Sequence, residues 1–239
     1  MRKVVIICLA AIFFSCEDRP QTPEIPDDVE LTQHQIDSIL MKFDFEYENP
    51  VLIDSSEIIL LPISTEFLEK RKTYSYDGYY SDSYPRYWNI LFYNQVSGST
   101  KLLTESKIRI SNFHVKHEKP GNILSQKILY IIGDVDYNGD GKLDTSDPDF
   151  LFSSNFDGSD LKRVSPQSED LIYHSIIPNT DRLILRTRRD TDENREFSSE
   201  DEEIWYLLDL ETNKGPVEIV DEALRKKVKN LYFDQWLRR

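Results

Sequence analysis

Residues 136–147 read DYNGDGKLDTSD and residues 190–201 read DTDENREFSSED, two acidic twelve-residue stretches in a chain of 239. In the first, oxygen-bearing side chains recur at alternate positions: Asp136, Asn138 and Asp140 at 1, 3 and 5, then Asp144 at 9 and Asp147 at 12. Gly141 at 6 permits a sharp turn, Lys142 at 7 would offer its backbone carbonyl, and Leu143 at 8 is an apolar anchor. A hard cation that takes roughly six to eight oxygens, calcium above all, suits this pattern. The second stretch aligns without gaps, with Asp190, Asp192 and Asn194 at 1, 3 and 5, Glu196 at 7 through its carbonyl, Phe197 at 8, Ser198 at 9 and Asp201 at 12. Arg195 stands at 6, where a left-handed backbone costs a side-chain-bearing residue about 1 kcal/mol, so the second site is expected to be the weaker. Plainer readings stand beside these: Asn138-Gly139 and Asp140-Gly141 are hairpin-turn formers, and Glu200 to Glu203 is a surface charge cluster. A plain turn, however, does not require Asp144 and Asp147.

The elements that must hold these stretches are short apolar runs rich in β-branched and aromatic residues. Three segments share one order of parts, strand, insert, strand, tight turn, strand. They are 57–64, 88–95 and 100–106; 127–134, 149–156 and 161–165; and 182–189, 203–210 and 217–220. Turns are expected at Ser97-Gly98, at Asp157-Gly158 and around Asn213, and further strands over 108–115 and 171–178 lead the second and third units. Both acidic stretches join the same two strands of their units. Calcium there would replace carboxylate repulsion by attraction and pin each hairpin, a structural role.

The ligand order resembles the EF-hand loop, and Asp147 in place of a longer glutamate makes the first stretch more like the dockerin variety. Helices flank regulatory EF-hands, whereas strands flank these stretches, which argues against a calcium sensor. The phrases FLFSSNFDGSDLKRVSP and ILFYNQVSGSTKLLTES resemble the outer strands of TolB-type β-propeller repeats. The resemblance covers roughly residues 51–220 and implies an all-β fold of three blade-like antiparallel repeats. Three blades are fewer than a closed propeller needs, so an open stack of sheets or a curved sandwich is the expected arrangement.

Met1, Arg2 and Lys3 precede an apolar run, Val4 to Phe14, too short to span a bilayer, and residues 1–15 read as a signal segment. Ser15-Cys16 resembles a lipobox, with Phe13 where leucine is usual; lipid on Cys16 would tether the chain to a cell-envelope membrane, the outer membrane in this reading. Residues 16–30 are acidic and proline-rich, a tether similar to the export signals of Bacteroidetes lipoproteins. A plain secretory signal with a coincidental cysteine is the alternative. Cys8 lies in the signal segment, so no thiol is left for a disulfide. Without Arg2 and Lys3 the chain keeps 27 basic against 43 acidic residues, a net charge of -16, which argues against nucleic acid or an anionic membrane surface as a partner.

Residues 31–50 begin with a capping box, Thr32 with Gln35, ahead of a short amphipathic helix over 33–43. Residues 221–239 form a second, with Leu224, Val228, Leu231, Tyr232 and Trp236 on an apolar stripe and Arg225, Lys226, Lys227, Lys229, Arg238 and Arg239 around the rest; such a helix can suggest membrane contact, and the expected role is to cap a terminal sheet edge and neutralise part of an acidic body. His114 and His117 fall on opposite faces of a strand, and His34 and His174 stand apart, so no zinc site is expected. The sequence carries no nucleophile elbow, phosphate-binding loop or dinucleotide fingerprint. The insert 74–88, with Tyr74, Tyr76, Tyr79, Tyr80, Tyr84, Tyr87 and Trp88, is the candidate surface for a protein or glycan ligand, with a long inter-blade loop packing its own aromatics as the plainer reading. A binding or scaffolding module is therefore the expected function, and a propeller-type hydrolase of glycans or peptides is the alternative.

Overall fold

The computed structural model describes residues 30–41, 45–54, 56–65, 87–212 and 214–238. The chain divides into two units, Met1–Phe43 and Asp44–Arg239. In the first, helix α1 (Gln33–Leu40) opens with the expected capping box. Gln35 N donates to Thr32 Oγ1 at 3.4 Å, and Thr32 N donates to Gln35 Oε1 at 2.9 Å, which satisfies amide groups a helix start leaves open.

The described residues of the second unit form three antiparallel sheets, an all-β, blade-like architecture with no closed barrel. The first holds β1 (Phe45–Tyr47), β2 (Val51–Leu52), β3 (Ile58–Thr65), β4 (Asn89–Asn94) and β5 (Thr100–Leu102). The second is a meander of β6 (Arg109–His114), β7 (Lys127–Gly133), β8 (Phe150–Asn155) and β9 (Lys162–Arg163). The third repeats it with β10 (Glu169–Ile176), β11 (Arg182–Arg189), β12 (Glu202–Asp209) and β13 (Val217–Glu218). Where the second and third sheets begin with β6 and β10, the first has β1 and β2. Three and two residues are too few to show an alternating pattern, so the sequence did not disclose them.

Burial follows from the strands' period of two. Ile128, Tyr130, Ile132, Phe150 and Phe152 of the middle sheet join Leu60, Ile90 and Phe92 of the first in one core. The intervening Leu129 and Leu151 point the other way, into a second core with Leu183, Leu185, Ile204, Tyr206 and Leu208 of the third sheet. The middle sheet is thus apolar on both faces, which is why KILYIIG reads as a continuous apolar run. In β12 the pattern alternates instead: Ile204 and Tyr206 are buried while Trp205 between them is exposed. The sheets stack in sequence order, and the central hairpin arms of the second and third, β7–β8 and β11–β12, pair in register up to the acidic loops.

Candidate metal centre

Loop 136–147 leaves the end of β7, and loop 190–201 begins directly after Arg189, the last residue of β11. The two share one hydrogen-bond skeleton. The position-12 carboxylate is buried in both and clamps the loop: Asp147 accepts from Tyr137 N at 2.8 Å and Asp144 N at 3.0 Å. Asp201 likewise accepts from Thr191 N and Ser198 N, each at 2.9 Å. The position-1 carboxylate reaches the amide at position 6, Asp136 from Gly141 at 2.8 Å and Asp190 from Arg195 at 2.9 Å. Positions 3 and 5 accept from the amides two residues on, so Asn138, Asp140, Asp192 and Asn194 all turn inward along the loop. At position 9, Asp144 accepts from Ser146 N and Ser198 from Glu200 N.

Backbone conformation repeats as well. Gly139 and Gly141 have φ of 75° and 84°, and Glu193 and Arg195, at the same positions 4 and 6, have φ of 58° and 65°. The left-handed residue expected at Arg195 is present, and Glu193 adds a second. At about 1 kcal/mol each, loop 190–201 carries on the order of 2 kcal/mol of strain that glycine spares loop 136–147.

Among the described residues, one group of three acidic side chains could hold a metal ion: Asp190, Asp192 and Asp201, each with a carboxylate oxygen within 4.8 Å of the others. The loop expected to be weaker thus assembles the compact carboxylate trio. The equivalent positions of the first loop are Asp136, Asn138 and Asp147, with an amide where the second has a carboxylate. Backbone donors also favour charge at the base of the trio: the amides of Thr191 and Ser198 hold the Asp201 carboxyl below its ordinary range.

Each loop is anchored by an ion pair with one buried member. Arg109, 3% exposed, pairs with Asp149 at 3.1 Å and donates to the Asp147 carbonyl at 3.1 Å. Gly133 makes room, since a Cβ there would come within 2.6 Å of the guanidinium. The third sheet reverses the charges: Glu169, equally buried, accepts from Arg189 Nε at 2.8 Å and Tyr206 OH at 2.9 Å.

The loops also touch. Tyr137 stacks near Phe197 with ring centroids 5.0 Å apart, and its hydroxyl donates to Asp190 Oδ2 at 3.1 Å. A cleft of about 510 Å³ opens beside this contact, lined by Asp147, Asp149, Asp170 and Glu196 among others. Burial raises the Asp149 and Asp170 carboxyls, although Arg109 opposes the shift at Asp149. Sequence reasoning did not identify Tyr137; an aromatic at position 2 facing an aromatic anchor in the neighbouring loop was the available signal.

Tyr87 and Trp88, placed by sequence on the recognition insert, are half-buried. Tyr87 exchanges backbone hydrogen bonds with Ile110 and meets Phe113 edge-on at 5.6 Å, and Trp88 lies 5.6 Å from Phe45. They join the first two sheets and brace the first. Tyr74, Tyr76, Tyr79, Tyr80, Tyr84 and Cys16 lie outside the described residues. His174, expected to stand apart, meets His114 across the second and third sheets at 5.9 Å between ring centroids. No family model matches this sequence, and no curated protein matches it.

Proposed function

We propose that the chain is a calcium-stabilised, lipid-anchored module of the cell envelope, whose ions close the central hairpins of the second and third sheets. The trio Asp190, Asp192 and Asp201 carries this reading, supported by the shared skeleton of the first loop. Asn194, Ser198 and the Glu196 carbonyl would complete the second site. Asp136, Asn138, Asp140, Asp144, Asp147 and the Lys142 carbonyl would form the first. With free ion at about 100 times the dissociation constant, each filled site adds about 2.7 kcal/mol to stability. The bound ion supplies positive charge and directed oxygen coordination; the chain supplies the two clamped carboxylates that fix the ends of each loop.

The second reading is hydrolysis, favoured by the raised carboxyls of Asp149 and Asp170 in the cleft. Asp149 is already engaged by Arg109 and by Ser111, and Asp170 accepts from Asp149 N at 2.9 Å. These partners support an anchoring role, so the module reading is preferred. Thermal unfolding in EGTA and in excess calcium, with Asp136→Ala and Asp190→Ala, tests it. A calcium-dependent rise in midpoint that each substitution reduces supports two structural sites; a midpoint indifferent to calcium refutes them.

A further inference from the structure

His114, the last residue of β6, lies opposite Leu129 of β7, and His174 of β10 lies opposite Leu185 of β11. Cross-strand partners share a face, and both leucines belong to the core between the second and third sheets. Both imidazoles are therefore turned into the seam between those sheets, nearer its end away from the acidic loops. Their ring centres stand 5.9 Å apart with the planes tilted by 54°. Among the described residues neither ring makes a hydrogen bond or an ion pair, whereas Nε2 of His117 donates to the Lys127 carbonyl at 3.1 Å. Backbone pairing fixes the seam nearby: Pro120 bridges Thr180, and Asn179 N donates to the Lys119 carbonyl at 2.8 Å. Burial lowers the pKa of His114, and that of His174 to about 4, so near neutral pH both rings are uncharged and each carries a free lone pair.

We propose that His114 and His174 form a two-histidine site for a divalent transition ion of the zinc and nickel class, which ties the second sheet to the third. Two imidazoles on one ion, each bound through nitrogen at about 2.0–2.1 Å, place their ring centres about 5–6.5 Å apart, and the separation here falls in that range. Rotation about the Cβ–Cγ bond, broad and roughly two-fold for histidine, turns either ring nitrogen toward the gap. His114 is exposed, which gives the ion a way in, and His174 is half-buried, which steadies the inner ligand. Water would complete the coordination. Sequence spacing set His114 beside His117, which a strand sends to the opposite face; the stacked sheets supply His174 instead. Imidazole suits zinc, nickel and copper, while all-oxygen loops suit calcium, so the two kinds of site sort ions by donor chemistry. No residue is shared with the acidic loops, and this site stands or falls apart from the calcium reading.

The test is calorimetric titration of the whole chain, carrying no histidine tag, with nickel chloride near neutral pH and in excess calcium. A single saturable equivalent is expected. His114→Gln and His174→Gln should each lower the affinity about tenfold or more, since loss of a ligand costs at least as much as loss of an outer-shell partner. His34→Gln, in the first unit, should leave it unchanged. Nickel is paramagnetic, so in the unsubstituted chain it should broaden the ring-proton resonances of His114 and His174 before those of His34, a measurement that needs no variant to fold. Zinc should raise the thermal midpoint of the unsubstituted chain and not that of His174→Gln. Absence of saturable binding, an affinity that either seam variant leaves unchanged, or broadening that begins at His34 overturns the proposal. So does an equal rise with zinc in His174→Gln.

Discussion

Loops 136–147 and 190–201 reach one conformation with different residues. The first meets its left-handed positions with Gly139 and Gly141, and the second with Glu193 and Arg195. What they share is a carboxylate at each end, accepting backbone amides at corresponding positions. The end carboxylates and the paired strands therefore set the loop, and glycine lowers its cost. The comparison also separates strain from ligation. The strained loop has Asp192 where the relaxed one has Asn138, and it alone forms a compact trio of carboxylates among the described residues.

The largest effects should come from the anchors. Arg109→Ala leaves the Asp149 carboxylate without its cation and Glu169→Ala leaves the buried Thr187 and Tyr206 hydroxyls without their acceptor, so each is expected to cost about 3 kcal/mol in urea unfolding, with or without calcium. If one is mild, the two loops are not equivalently anchored. Calcium removal should cost about 2.7 kcal/mol per filled site, and Asp192→Asn should weaken the second site while Asn138→Asp strengthens the first. Calorimetric titration of both variants checks this; unchanged affinities would dissociate ligation from the residue at position 3.

Acid should act at the far end of the same two sheets and independently of calcium. His114, His117 and His174 have pKa values lowered by burial, that of His174 to about 4. The unfolded chain takes up their protons first as pH falls, so their contribution is complete above about 6.5 and declines toward about 4, by up to about 3 kcal/mol for His174. Stability against pH in EGTA measures the decline, and His174→Gln should flatten it. A decline that persists unchanged in that variant would place the acid sensitivity elsewhere.

Smaller differences probe strain and contact. Arg195→Gly and Glu193→Gly should each raise stability without calcium by about 1 kcal/mol, and Gly141→Ala, whose added Cβ meets nothing within 4 Å, should lower it by the same amount. Loss of the hydroxyl in Tyr137→Phe should cost about 1 kcal/mol or less by urea titration and reduce the influence of one loop on the other. An effect confined to the first loop would mean that the contact with Asp190 carries no coupling.

Much of the sheet structure was legible because strands of six to eight residues carry their own signal. RLILRTRR is β11 over its whole length, and EIWYLLDL differs from β12 by one residue at each end. The acidic loops were legible because the spacing of their oxygen-bearing side chains is local. Other features were not. Tyr87 and Trp88 looked like part of a polar recognition insert, because composition does not reveal that Ile110 pairs with Tyr87. For the helix over Glu222–Tyr232 the neutralising contact is present, Arg225 on Glu202 and Glu218, while its apolar stripe faces outward, because periodicity reports that a helix has an apolar side and not where that side points.

The sequence by itself determined the all-β class, the three-unit order, the capped helix at Thr32 and the spacing of oxygen-bearing side chains in both acidic stretches. Each depends on residues within about a dozen positions of one another, where backbone geometry alone fixes who meets whom. Tertiary structure decided that the middle sheet is buried on both faces, that Tyr137 reaches Asp190, that His114 meets His174, and that Arg109 and Glu169 anchor the loops with opposite charge. Those side-chain meetings join residues 20 or more positions apart in sequence. They follow from how strands pair and sheets stack, which no local pattern encodes.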